Sequence, residues 1–317
     1  MKIVILDGYT ANPGDLSWDK LKAFGEVVVY DRTSPAQVKE RSSGANMLLT
    51  NKTVISRELM EACSELNYIG VLATGYNVVD LQAAKELGIT VTNIPAYSTD
   101  SVVQMTFALL FELCTNVGIH NAAVKSGKWE NAKDFCFWET PLIAVKDKVF
   151  GIVGYGKIGR AVAEAAKAFG KKVCVCTRTP SKVADPEIEV LTREELFAKA
   201  DIISLHCPLT EENKEMINRE SIAKMKEGVI LLNTGRGPLI NEADLAEALH
   251  SGKIYAAGVD VVSVEPIKAE NPLLSCDNCI ITPHIAWAPK ETRARLIEIA
   301  VENVKSFMEG TTQNRVN

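Results

Sequence analysis

Four polar side chains follow apolar runs in the second half of this 317-residue chain: Arg236, Asp260, Glu265 and His284. Arg236 comes after Val229–Asn233, Asp260 closes the run from Tyr255, Glu265 lies five residues further on, and His284 comes after Cys279–Thr282. Each has a plain structural reading on its own: a surface guanidinium, two loop or cap carboxylates, a satisfied hinge histidine. Gathered at one edge of one sheet, they form a coherent chemical set. Arginine binds a carboxylate through two parallel hydrogen bonds. Histidine gives up a proton near neutrality and takes it back in the reverse reaction, and a neighbouring carboxylate favours the imidazolium form. Glu265 is the expected partner of His284, and Asp260 the expected acceptor for a carboxamide. The set would anchor a 2-oxo acid and protonate its ketone oxygen, given a hydride source. Of the other histidines, His120 and His250 fall on helical stretches and read as structural, whereas His206 ends a strand and is expected to line a cofactor site.

The hydride source is legible in the middle of the chain. Val149–Val153 is a short apolar run that enters Gly154-Tyr-Gly156-Lys157-Ile158-Gly159, followed by a helical pattern to Phe169 and a second apolar run, Val173–Cys176. Strand, tight turn, helix and strand make the first unit of a dinucleotide-binding fold. The first glycine allows the sharp turn, the second lets backbone N–H groups approach a pyrophosphate, and the third lets the helix pack on the strand. An acidic residue about 20 positions beyond the glycines would bind the ribose 2′-hydroxyl of NAD. Here Thr177, Arg178 and Thr179 stand there, with no carboxylate to repel a 2′-phosphate and a guanidinium to bind one. The expectation is NADP(H) before NAD(H), unless Arg178 merely points to solvent. Thr106, Lys157, Ile158, His206, Cys207, Pro208, Thr234 and Asp260 complete the expected cofactor contacts.

Short strands alternate with helices on both sides of this motif, which predicts an α/β chain with parallel sheets covered on both faces. Strands are expected at 2–6, 26–30, 46–50, 68–73 and 90–93, and helices at 18–24, 35–41, 56–62 and 81–87. A long apolar helix is expected at 102–117, and a helix at 217–225 with Asn218 as its cap. A final amphipathic helix, 290–308, would return to the first domain. The predicted division is 1–98 with 287–317 as a substrate-binding domain and 99–286 as the dinucleotide-binding domain. The strand from Tyr68 ends at Thr74-Gly75. That turn either offers N–H groups to a small anion or is an ordinary loop leading to Asp80, the cap of the next helix.

Composition excludes several classes. The net charge of −5 and the absence of basic blocks argue against nucleic-acid binding. No apolar run reaches the roughly 18 residues of a membrane span. The N-terminus reads as a strand rather than a signal peptide. Eight cysteines, mostly in apolar runs, read as reduced thiols, and the single Cys276-x-x-Cys279 pair lacks a partner pair at zinc spacing, so no metal is expected. A cytoplasmic location follows.

The chain resembles the D-2-hydroxyacid dehydrogenase family at Gly154–Gly159, at Leu205-His-Cys-Pro-Leu-Thr210 and at Asn233-Thr-Gly-Arg-Gly237. It does so again at Gly258-Val-Asp-Val261 with Glu265-Pro266, and at Thr282-Pro-His-Ile-Ala286. The resemblance implies Arg236 as substrate anchor and electrophilic aid, Glu265 as partner of His284, and His284 as acid and base. Thr74 and Gly75 join Arg236 and His284 at the substrate. It also implies a Rossmann-type doubly wound sheet, a flavodoxin-like substrate domain built from both chain ends, D-stereospecificity, and a homodimer formed through the nucleotide domain. Ala73–Asn77, Asn93–Ser98 and Ile285–Trp287 resemble the glycerate dehydrogenase (hydroxypyruvate reductase) branch. That branch implies hydroxypyruvate and D-glycerate as substrates, with glyoxylate as a further candidate. D-lactate and 3-phosphoglycerate are alternatives, the latter disfavoured because no regulatory extension follows and no basic cluster surrounds Tyr76. A nucleotide-sensing, corepressor-like binding protein on the same fold is the competing class. The intact Arg, Glu and His set and the lack of interaction tails weigh against it.

Overall fold

The computed structural model describes every residue except Lys171. The chain separates into two compact units, Met1–Ser98 with Trp287–Asn317, and Thr99–Ala286. Both are α/β, as the alternation of apolar strands with helices predicts.

The first unit has a five-stranded sheet: β1 (Lys2–Ile5), β2 (Glu26–Val29), β3 (Met47–Thr50), β4 (Tyr68–Val71) and β5 (Thr90–Thr92). Their order is β2-β1-β3-β4-β5, and all neighbours run parallel. The helices α1 (Val38–Ser42), α2 (Arg57–Ala62) and α3 (Leu81–Glu86) pack Val38, Leu59 and Ala83 against one face. Strands buried on both sides carry continuous apolar runs, and every residue of β3 and β4 is buried. The segment Asp19–Phe24, expected as an ordinary helix, is a 3₁₀ turn closed by Gly25. Its N-cap position, Trp18, has no side-chain acceptor for the first N–H groups, unlike Ser56 before α2, which accepts from Leu59 N–H.

The second unit opens with α4 (Thr99–Thr115), which starts three residues before the apolar periodicity does, and with α5 (Val117–Lys125). Between them Asn116 adopts a left-handed conformation (φ 50°), which ends α4. A seven-stranded sheet follows, with β6 (Val149–Val153), β7 (Lys172–Cys176), β8 (Glu189–Val190), β9 (Ile202–Leu205), β10 (Val229–Asn233), β11 (Ile254–Val259) and β12 (Cys279–Ile281). The order β12-β11-β10-β9-β6-β7-β8 is parallel throughout. Strand β8 is two exposed residues and carries no apolar signal, so nothing in the sequence marks it. The connecting helices are α6 (Lys157–Ala168), α7 (Arg193–Lys199), α8 (Arg219–Ala223, capped by Asn218) and α9 (Glu242–Ser251). Phe107, Leu110 and Val162 cover one face of the sheet, and Leu196, Ile222 and Leu245 the other. Strand order reverses between β6 and β9, the switch point where such sheets take ligands.

The chain then returns to the first unit through α10 (Lys290–Met308). Its Leu296, Ala300 and Val304 pack with Ile3, Ile5 and Tyr68 on the second face of the five-stranded sheet. Among the described residues no single helix is long and apolar enough to cross a membrane.

Candidate active site

The switch point is built by glycine. Gly154 leaves β6 at φ +100°, and a Cβ there would lie 2.6 Å from the Cys207 backbone nitrogen. The turn therefore sits directly against the end of β9, with no room for a side chain. At Gly159 a Cβ would drive into the Gly154 carbonyl, so only glycine lets α6 begin this close to its strand. Gly156 caps α6 without a side-chain acceptor, is exposed, and has open space where a Cβ would stand. The first N–H groups of α6 thus face open space at the positive end of the helix, the arrangement that receives a pyrophosphate. Lys157 is exposed beside it and Ile158 half-buried.

Other expected cofactor contacts fall at the ends of β7, β9 and β10 and on α4. Thr177 is half-buried at the end of β7 and accepts a hydrogen bond from the Thr179 backbone through its hydroxyl. Arg178 is exposed and, among the described residues, forms no ion pair; its charge reaches the Cys207 thiol across the switch point. The Cys207 thiol is raised, chiefly by burial, and Pro208 is exposed next to it. His206 has its Nε2 2.8 Å from the Ser204 hydroxyl, and desolvation pushes the imidazole down to about 4, so it is neutral at physiological pH. Thr106 and Thr234 meet: their hydroxyls lie 3.1 Å apart, Thr106 also donates to the Val102 carbonyl, and both residues are buried.

Strands β10 and β11 end in loops locked by a buried polar residue. At the end of β10, Asn233 is fully buried, accepts from Gly235 N–H (3.0 Å) and donates to the Arg236 carbonyl (2.9 Å). That turn presents the exposed Arg236, whose Nη1 donates to the Gly235 carbonyl at 2.7 Å. At the end of β11, Asp260 is 1% exposed. Its Oδ1 accepts from the Thr282 hydroxyl (2.6 Å) and Ile285 N–H (2.9 Å), and its Oδ2 from Ala286 N–H (2.9 Å). This carboxylate therefore fastens the segment after β12, and of its roughly four acceptor positions one is left. Nothing local in the sequence indicated the lock, because its partners lie 22 to 26 residues away.

His284 stands in the fastened segment. Its backbone is left-handed (φ 55°), an uncommon conformation for a non-glycine residue. The His284 N–H donates to the Asp260 and Thr282 carbonyls at 2.8 and 2.9 Å. On the ring, Nδ1 donates to Glu265 Oε2 at 2.7 Å, with both side chains about a third exposed. Glu265 Oε1 also accepts from Val262 N–H. The carboxylate fixes Nδ1 as the protonated nitrogen, which leaves Nε2 free to exchange a proton with a bound molecule. His120 and His250 play no part here: His120 bonds the Asn116 carbonyl and Glu139 N–H, and His250 lies 3.6 Å from the Cys276 sulfur.

In the first unit, Thr74 donates through its hydroxyl to the Ile94 carbonyl, and its own carbonyl accepts from Asn93. Asp80 caps α3 by accepting from Ala83 N–H. Among the described residues the N–H groups of Gly75 and Tyr76 donate to nothing, so the turn is compatible with both roles that the sequence left open.

The chain has known relatives over its whole length. Residues 107–286 match the family model described as D-isomer specific 2-hydroxyacid dehydrogenase, NAD binding domain. The chain is similar to a hydroxypyruvate reductase of Blautia hydrogenotrophica, with 53% identity over the whole of both chains. It is also similar to a glycerate dehydrogenase of Methylorubrum extorquens, with 38% identity over 92% of each. Among solved structures, a protein of Thermus thermophilus superposes over the full length of both chains with a TM-score of 0.88 at 35% identity.

Proposed function

The chain belongs to the D-isomer specific 2-hydroxyacid dehydrogenase family, and from that membership we propose that it reduces hydroxypyruvate to D-glycerate with NADPH, with glyoxylate as a second substrate. One observation carries the reaction: the 2.7 Å contact between His284 Nδ1 and Glu265 Oε2 in a loop locked at the ligand-binding end of the sheet. When bound, the nicotinamide supplies the hydride. The protein supplies the rest. Arg236 anchors the substrate carboxylate and draws electron density from the ketone. His284 donates its Nε2 proton to the ketone oxygen as the alkoxide forms, and Glu265 stabilises the imidazolium before that transfer and orients the ring throughout. In the first unit, the N–H groups of Gly75 and Tyr76 are suited to a small anion. The remaining acceptor position of Asp260 suits the nicotinamide carboxamide, and Thr234, supported by Thr106, lies on the same sheet edge.

NADPH is favoured over NADH because Thr177 replaces the usual carboxylate and Arg178 is exposed without an ion-pair partner among the described residues. A homodimer through the nucleotide-binding unit is supported by the apolar surface on and beyond α5. Val117, Trp129, Phe135, Trp138 and Leu142 are each more than half exposed, and apolar surface of this extent marks association. All eight cysteines are free thiols, which fits a reducing compartment and a cytoplasmic location. The test is a panel of 2-oxo acids, each run with NADPH and NADH. Hydroxypyruvate with NADPH is expected to give the highest kcat/KM and a D-configured product. Failure of every 2-oxo acid to oxidise either cofactor would refute the proposal.

A further inference from the structure

Glu265 sits in a loop that makes little apolar packing. Between Val262 and Leu273 no residue is buried, and Ser263 through Glu270 are all exposed, so apolar packing does not fix the backbone there. A catalytic partner nevertheless needs its carboxylate fixed to a fraction of an ångström. Val262 N–H donates to Glu265 Oε1 at 3.3 Å, and a second fixing group lies outside the loop, at the first position of α9. Glu242 Oε1 accepts from Ser263 N–H at 2.7 Å, and Glu242 Oε2 accepts from the Ser263 hydroxyl at 2.6 Å and the Asn271 amide at 2.9 Å. One carboxylate thus joins the two ends of the loop, residues 263 and 271, with Glu265 between them. Its charge is favoured by the positive end of α9, and bonds to an ionised acceptor are the strong kind.

We propose that Glu242 is a positioning residue for proton transfer: it clamps the loop so that the Glu265 carboxylate stays on His284 Nδ1. The inference rests on the acid–base roles proposed above for His284 and Glu265. Glu242 touches neither of those side chains and acts only through the loop. Glutamine in its place keeps size and one acceptor oxygen, but in either orientation its NH₂ faces a group that can only donate, Ser263 N–H or the Asn271 NH₂.

The experiment is a double-mutant cycle on the NADPH-loaded enzyme with hydroxypyruvate, using E242Q, E265A and E242Q/E265A. Loosening a catalytic group by part of an ångström should lower kcat by about fivefold in E242Q, with KM for NADPH unchanged. In the E265A background, where no carboxylate remains to be positioned, E242Q should change kcat by less than about 1.5-fold. A merely structural glutamate would instead give the same loss in both backgrounds, or a loss in cofactor KM, and either result overturns the proposal. If E242Q fails to fold, S263A removes one bond of the clamp and should give a smaller loss with the same dependence on Glu265. If E265A itself leaves kcat unchanged, the acid–base reading fails and the clamp with it. If E265A is slow and E242Q is not, the clamp alone is wrong.

Discussion

Replacing Asp260 with asparagine tests whether the buried lock, rather than the local sequence, holds His284 in place. Asp260 accepts three hydrogen bonds, from Thr282, Ile285 and Ala286, while its backbone carbonyl accepts from His284 N–H. Asparagine can keep its single oxygen on Thr282 and Ile285, but its NH₂ group then faces the buried Ala286 N–H, donor against donor. One charge-assisted bond is lost and one buried donor is left unpaired, about 3 kcal/mol together. That is comparable with the roughly 1–3 kcal/mol needed to hold a non-glycine residue such as His284 in a left-handed conformation. The loop should therefore relax in part. If between half and all of the loss reaches the transition state, kcat falls by about 10- to 150-fold. The assay is steady-state hydroxypyruvate reduction with NADPH, alongside NADPH binding followed by fluorescence. The fall should be in kcat, with the NADPH dissociation constant changing by less. A D260N enzyme with unchanged kcat would refute the lock.

Other outcomes follow from the same geometry. R236K keeps the charge but loses the two-pronged grip on carboxylate, so kcat/KM for hydroxypyruvate should fall by about 30-fold while cofactor affinity holds; steady-state kinetics checks this. R178A should lower kcat/KM for NADPH by about tenfold and leave NADH untouched, measured with each cofactor at fixed substrate. His206 titrates near 6.5 when unfolded but at about 4 when folded. Between those values the unfolded chain holds more protons, so stability rises with pH, and acidification across that window removes roughly 3 kcal/mol at most. Urea unfolding from pH 7 to pH 4 should show this loss in the parent protein and a shallower one in H206Q.

Much of the site was legible because its residues follow apolar strands, and strand ends in a doubly wound sheet converge on one edge. Arg236 after β10, Asp260 after β11 and His284 after β12 could be placed by counting apolar runs alone. The glycine motif was equally plain, since Gly154 and Gly159 answer close backbone contacts that any side chain would break. What escaped the sequence is what joins these loops. The Asp260 lock reaches residues 25 and 26 positions onward, and Glu242 reaches Ser263 and Asn271 across 21 and 29. Such bonds between a side chain and a distant backbone leave no period in the chain. Strand β8 escaped for another reason: two exposed residues paired with β7 carry no hydrophobic pattern.

The central claim is that His284 delivers the proton, and single-turnover reduction of hydroxypyruvate by NADPH-loaded H284N measures it most directly. Removing a positioned acid should slow nicotinamide oxidation by at least about 100-fold while NADPH binds as in the parent. An H284N enzyme that turns over at the parental rate would contradict the account.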